Sequence, residues 1–153
     1  MRQYALVTKL PIIIGEEAPV LRAKTVRVKE VTKDILKILK DMEETRVSAT
    51  GAGIAAPQVG RSERMCIVAL SNRTFAMINP DITHFSKETE IGEEGCLSLP
   101  GIWINIPRAK DITVEYLDER GREQTLKISG WDARIIQHEV DHLDGKLIVD
   151  YKN

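Results

Sequence analysis

After Thr32, apolar side chains recur at Ile35, Leu36, Ile38, Leu39 and Met42, with lysines and acids between them. That is the three-and-four spacing of a helix with one apolar face, and Thr32 is placed to cap its first turn. The helix should end between Arg46 and Ser48, where small residues begin. Gly51-Ala52-Gly53-Ile54-Ala55-Ala56-Pro57-Gln58-Val59-Gly60 then reads as a loop whose glycines permit close approaches. Met65 to Leu70 and Thr74 to Ile78 predict paired strands joined by the polar turn Ser71-Asn72-Arg73. Ile112 to Leu117 alternates with polar residues, and Asp118-Glu119-Arg120-Gly121 turns it into a strand from Gln124 to Ile128. A last helix begins near Ser129, with Asp132 as a weak capping-box partner, and stops at Gly145. Strands in hairpins with two separate helices predict an α+β domain, not an alternating parallel fold.

A chain of 153 residues is long enough to bury one core, so residues 1–153 are expected to form a single domain. With 42% apolar and 29% charged residues the composition is that of an ordered globular protein. A net charge of -1 offers no electrostatic argument for binding nucleic acid or an anionic membrane, and neither is predicted. Apolar runs such as Leu10-Pro11-Ile12-Ile13-Ile14 are too short to span a bilayer. The first residues lack a basic-then-apolar leader layout, so the protein is expected in the cytoplasm. Two cysteines, Cys66 and Cys96, make no disulfide framework, and Cys66, inside an apolar strand, reads as a packed thiol.

The last helix carries His138-Glu139-Val140-Asp141-His142. Positions four apart share a helix face, so His138 and His142 can point at one ion, with Glu139 beside the first ligand. Trp131, Ile135, His138 and His142 follow at spacings of four, three and four, which predicts one inward stripe. The competing reading, two solvated or core-satisfied histidines, fits such a stripe poorly. A catalytic divalent metal usually takes three protein ligands. Asp141 is turned about 100° from the ligand face, and His84 stands in a polar stretch without a motif. Cys96, in Glu93-Glu94-Gly95-Cys96-Leu97-Ser98-Leu99-Pro100-Gly101, sits between a glycine and a short apolar strand bordered by a Pro-Gly turn. From that segment alone, a thiolate ligand and a buried structural thiol are equally good readings.

Gly51 to Gln58, Glu94-Gly95-Cys96-Leu97-Ser98 and Gln137 to His142, in this order and spacing, resemble the three signature motifs of the peptide deformylase family. The resemblance runs from Leu21-Arg22 to Asp150-Tyr151. It implies an α+β fold in which antiparallel sheets wrap a central metal-binding helix, and a hydrolase that removes the formyl group from N-terminal formylmethionine and releases formate. Carried onto matching positions, it implies Cys96, His138 and His142 as ligands of one divalent ion. That ion would be Fe2+ in the cell, with Zn2+, Ni2+ or Co2+ able to fill the same ligands. It implies Glu139 as general base and then general acid. Gln58 and the Leu97 backbone N–H would donate to the developing oxyanion. Gln58 taken alone reads as a loop-capping amide. Ala52, Gly53 and Gly95 would leave room for a peptide strand, and Trp131 and Ile135 would form the first-residue pocket, although both also suit plain core.

Two departures from the family pattern bear on function. Many bacterial members continue into a long C-terminal helix associated with the ribosome, whereas here eight residues follow Gly145. The resemblance is therefore to a short form, whose implied partner is the formylated nascent peptide with at most transient ribosome contact. Gly101-Ile102-Trp103-Ile104 is apolar where many relatives carry a polar residue able to contact the peptide. Trp103 there either marks a substrate or partner surface or packs inward. Two rival functions compete with this reading. An H-E-x-x-H metallopeptidase needs a downstream third ligand, and only Asp144 and Asp150 are acids after His142. A structural metal domain needs four protein ligands, and an inactive peptide-binding relative would have lost Glu139 or Gln58.

Overall fold

The computed structural model describes residues 9–152, so the reading made on the first residues lies outside them. In chain order the elements are a one-turn helix α1 (Pro19–Arg22), α2 (Lys33–Ser48), β1 (Gly53–Ala55), β2 (Met65–Ala69), β3 (Thr74–Phe85), β4 (Thr89–Cys96), β5 (Leu99–Ala109), β6 (Asp111–Leu117), β7 (Glu123–Ser129) and α3 (Gly130–Leu143). Single 3-10 turns occupy Ala56–Val59 and Ile148–Tyr151. No helix among the described residues is long and apolar enough to cross a membrane.

Helix α2 forms where its spacing predicts, with the Thr32 hydroxyl accepting the Ile35 N–H at 3.2 Å. Strands β1, β2, β3, β6 and β7 make one antiparallel sheet in the order β1-β2-β3-β6-β7. Alternation along β2 decides what each face of the sheet covers. Met65 and Ile67 join Leu39 and Met42 of α2, while Cys66 and Val68 join Ile136, Val140 and Leu143 of α3. Ile136 and Leu143 are fully buried, and each such side chain contributes about 1.5–3 kcal/mol of transfer free energy. Strands β4 and β5 form a separate antiparallel hairpin, whose Leu99 and Ile106 pack with Leu21, Leu147 and Ile148 in a third core. Helix α3 touches β1, β2, β3, β5, β6 and β7, so the sheets wrap it as the resemblance implies.

The end of α3 is fixed twice. Gly145 has φ +77°, and the Lys146 N–H donates to the Asp141 carbonyl while the Gly145 N–H donates to the His142 carbonyl. This is the Schellman arrangement, and a Cβ at Gly145 would collide with the Arg22 carbonyl. Arg64, buried beneath, reaches the Leu143 carbonyl at 3.4 Å and Asp144 at 2.8 Å. A cation there favours the negative end of the helix dipole.

Four expectations need correction. The small-residue loop contains β1 and the Ala56–Val59 turn, because Gly53, Ile54 and Ala55 pair with Val68, Ile67 and Cys66. Asp132 does not cap α3 with Ser129; its carboxylate accepts the Ser71 N–H at 3.1 Å and the Ser71 hydroxyl at 2.5 Å, tying the β2–β3 turn to the helix. Leu97-Ser98 is the turn between β4 and β5, with Cys96 opposite Leu99, so the short strand expected after Cys96 is absent. Trp131 is not inward but 60% exposed, because its position on α3 opens onto the mouth of a surface cleft.

Candidate metal centre and active-site cleft

His138 and His142 stand one turn apart on α3 with ring centroids 5.0 Å apart. Cys96 closes β4 opposite them, its Sγ 3.4 Å from His142 Nε2. Ligand atoms of the three lie within 4.8 Å of one another. Bonds of about 2.3 Å to sulfur and about 2.1 Å to nitrogen at tetrahedral angles put neighbouring ligand atoms about 3.6 Å apart. The cluster therefore fits one mononuclear divalent ion. His84 lies exposed on β3 and joins no such cluster among the described residues.

Of the three, His138 is held from behind, whereas His142 Nδ1 has no hydrogen-bond partner among the described residues. Glu94 is 5% exposed and meets His138 Nδ1 at 2.8 Å. A carboxylate only accepts, so Nδ1 carries the proton and Nε2 remains for the ion. Arg108 Nε and Nη2 also donate to Glu94, at 2.9 and 2.8 Å, and Arg134 Nη1 donates at 2.7 Å. Burial works to raise the Glu94 pKa, but the bonds from Arg108 and His138 overcome it and hold the carboxylate well below its usual range. For His138, burial lowers the pKa, and Glu139, Cys96 and Glu94 outweigh it to raise it. Burial and His138 depress that of His142, which favours a neutral ligand.

Glu139 is 4% exposed, and its Oε1 makes no hydrogen bond among the described residues. Burial is the main cause that lifts its pKa, to about 7, against the pull of His138. Such a carboxyl exchanges a proton readily near neutrality. Its room is made by Gly53, where a Cβ would come within 2.6 Å of Glu139 Oε2 and 2.9 Å of its Cδ and Cγ. Gly53→Ala is accordingly expected to displace the carboxylate and cut kcat about tenfold or more, with circular dichroism unchanged. A parent-like kcat in that variant would remove Gly53 from the site. Cys66, fully buried on β2, has its thiol pKa pushed up by burial and by Glu139, which leaves it inert.

Gln58 is also buried, and its Oε1 accepts the Ala55 N–H at 3.0 Å, as a loop-capping amide would. Its Nε2 faces the site, 3.2 Å from Ser98 Oγ and 3.8 Å from Cys96 Sγ. Leu97 follows Cys96 in the turn and packs over Gly51. Gln58, Cys96 and Leu97 line a cleft of about 420 Å³ that runs past Ala52, Gly53, Gly95, Ile135, His138 and Glu139. Ile135 is buried in its wall, whereas Trp131 and Trp103 stand exposed at its rim. The register breaks between Glu94 and Cys96, where Pro100 to Trp103 bulge from β5 and fold Trp103 over Gly95. A Cβ on Gly95 would lie 2.6 Å from that ring.

Glu94, Arg108, Arg134 and Ser98 have roles here that the sequence reading did not assign. The available signal was a charge on an apolar stripe, since Arg134 is four residues before His138 on the ligand face. Asp141 points away from the ligands, as helical geometry requires, and bonds Arg108.

An α+β scaffold holding a three-ligand cluster beside a buried, unpartnered carboxylate in an open cleft is the arrangement of a metal-dependent hydrolase. The family model described as Polypeptide deformylase matches residues 11–153. A peptide deformylase of Desulfitobacterium hafniense is 45% identical over 138 residues, covering 90% of this chain and 89% of that protein. The crystal structure of peptide deformylase from Thermotoga maritima superposes with a TM-score of 0.91 at 40% identity, covering 95% of this chain and 98% of that one. A class I type b peptide deformylase from Acinetobacter baumannii, solved with Met-Ala-Ser bound, gives 0.90 at 34% identity, covering 95% and 99%. The chain belongs to the peptide deformylase family. It is an enzyme of protein biosynthesis that removes the formyl group from the N-terminus of nascent peptides, in a family that depends on a metal.

Proposed function

We propose that Cys96, His138 and His142 hold one divalent ion and that Glu139 moves the proton when the formyl–amine bond is hydrolysed. The observation that carries this reading is the convergence of the three ligand atoms within 4.8 Å, with the buried Glu139 carboxylate on the same helix. A thiolate with two imidazoles suits Fe2+, which we propose for the cell, and equally accepts Zn2+, Ni2+ or Co2+. When bound, the ion acts as a Lewis acid and makes water acidic enough to be the nucleophile near neutral pH.

Glu139 takes the proton from the attacking water and delivers it to the peptide nitrogen as the carbon–nitrogen bond breaks. Formate and a free N-terminal amine result. Negative charge builds on the formyl oxygen during attack, and the Gln58 Nε2 and Leu97 N–H are the donors proposed for it. The peptide lies extended between Ala52-Gly53 and Gly95, pairing with backbone on either side, and the methionine side chain enters beside Ile135 and Trp131. Residues 1–153 act as one catalytic domain, and the reaction belongs in the cytoplasm, where nascent chains are made.

Trp103 gives the rim an apolar wall, so the side chain after methionine is expected to be apolar by preference. Trp103→Ala should lower kcat/KM for formyl-Met-Leu peptides about threefold to tenfold relative to formyl-Met-Ala peptides. An unchanged ratio would exclude Trp103 from substrate contact. The proposal as a whole is tested by loading the protein anaerobically with Fe2+, adding formyl-Met-Ala-Ser and measuring formate. Catalytic release of formate with Met-Ala-Ser is expected, and no release with any of these ions would defeat it.

A further inference from the structure

The charges behind His138 continue away from the cleft. Arg108, 5% exposed on β5, spends Nε and Nη2 on the two oxygens of Glu94 and turns Nη1 to Asp141 Oδ2 at 2.6 Å and Tyr151 Oη at 3.0 Å. The Tyr151 hydroxyl donates to that same Asp141 oxygen at 2.6 Å. Arg108, Asp141 and Tyr151 thus close a ring of hydrogen bonds in which Tyr151 both accepts and donates. From this ring a continuous path runs through Arg108 and Glu94 to His138 Nδ1. The path joins β4, β5, α3 and the Ile148–Tyr151 turn. Around it the Tyr151 ring is packed by the Lys146 ammonium at 4.1 Å and the Arg108 guanidinium at 4.8 Å.

We propose that Tyr151 is a positioning residue for the reaction: its hydroxyl shares Asp141 with Arg108 and so fixes the guanidinium that aligns Glu94 on His138. The inference rests on the ligand assignment above. A guanidinium is a rigid fork, so Nη1 and the Nε–Nη2 edge move together. Without the hydroxyl, Asp141 loses one donor and draws Nη1 toward itself, which tilts the other edge away from Glu94. Networks of this kind in a low-dielectric interior transmit such changes because each bond polarises the next. A role confined to pinning the terminal turn would lower stability without coupling to Glu94 in metal affinity.

The experiment is a double-mutant cycle on Tyr151→Phe and Glu94→Gln, read as Zn2+ affinity by chelator competition together with kcat and KM for formyl-Met-Ala-Ser. Glu94→Gln is expected to weaken Zn2+ binding about tenfold to a hundredfold, as for partners of metal-bound histidines generally. Tyr151→Phe should weaken it about fivefold and lower kcat similarly, with KM unchanged, and should add little once Glu94 is Gln. Additive effects in the cycle, or a Tyr151→Phe affinity within twofold of the parent, would each overturn the proposal. Should Tyr151→Phe unfold, Asp141→Asn reads the same link, and parent-like Zn2+ affinity there overturns it as well. A parent chain that bound no Zn2+ would instead refute the ligand assignment.

Discussion

Replacing Glu139 by glutamine is expected to lower kcat/KM for formyl-Met-Ala-Ser by about 10²–10⁴, the usual contribution of a positioned acid–base group. Glutamine keeps the shape that Gly53 accommodates, so the fold and the metal content should remain those of the parent. The size of the effect follows from the absence of a substitute. Three carboxylates line the cleft, namely Glu93, Glu94 and Glu139. Glu94 is occupied by Arg108, Arg134 and His138 and is held ionised, and Glu93 is exposed to solvent. Only Glu139 is buried with an oxygen that has no hydrogen-bond partner among the described residues. A variant within tenfold of the parent, fully loaded with metal, would move the proton transfer elsewhere.

The second large effect is on the ion itself. Cys96→Ala should weaken Zn2+ or Co2+ binding by more than about a hundredfold, beyond the cost of losing a partner of a ligand, and formate release should fall to background with it. The second thiol cannot take the place of the first. Cys66 is sealed on the α3 side of β2, and burial and Glu139 keep it protonated. Cys66→Ala is therefore expected to bind the ion like the parent. Metal binding retained by Cys96→Ala and lost by Cys66→Ala would invert the assignment.

Much of this fold was readable from periodicity. Helix α2 and its Thr32 cap, the β2–β3 and β6–β7 hairpins and the Gly145 stop on α3 all follow from patterns spanning a few residues. The β4–β5 hairpin was not, and the reason is chemical. Ile91 is 75% exposed while Glu94 and Arg108 are buried, so the apolar–polar alternation that announces a strand is reversed at these positions. Its Leu97-Ser98 turn also lacks the glycine or asparagine that marks two-residue hairpins. The site divides along the same line. His138 and His142 are legible because helical geometry places them together within one turn. Cys96 on its own segment supports two equal readings, and only the three motifs together favour the ligand. Glu94 stayed hidden because Arg108 and Arg134, 14 and 40 residues away, become its partners only when β4, β5 and α3 meet. Trp131 shows the opposite failure, since its spacing fits the stripe but its side chain stands exposed at the mouth of the cleft.

The assignment of the ion to Cys96, His138 and His142 is tested most directly by X-ray absorption on protein loaded with one equivalent of Zn2+. One sulfur at about 2.3 Å and two nitrogens at about 2.0–2.1 Å from the protein are expected, with the sulfur contribution absent in Cys96→Ser and unchanged in Cys66→Ser. A first shell without sulfur in the parent, or a sulfur signal that survives Cys96→Ser, would contradict the account.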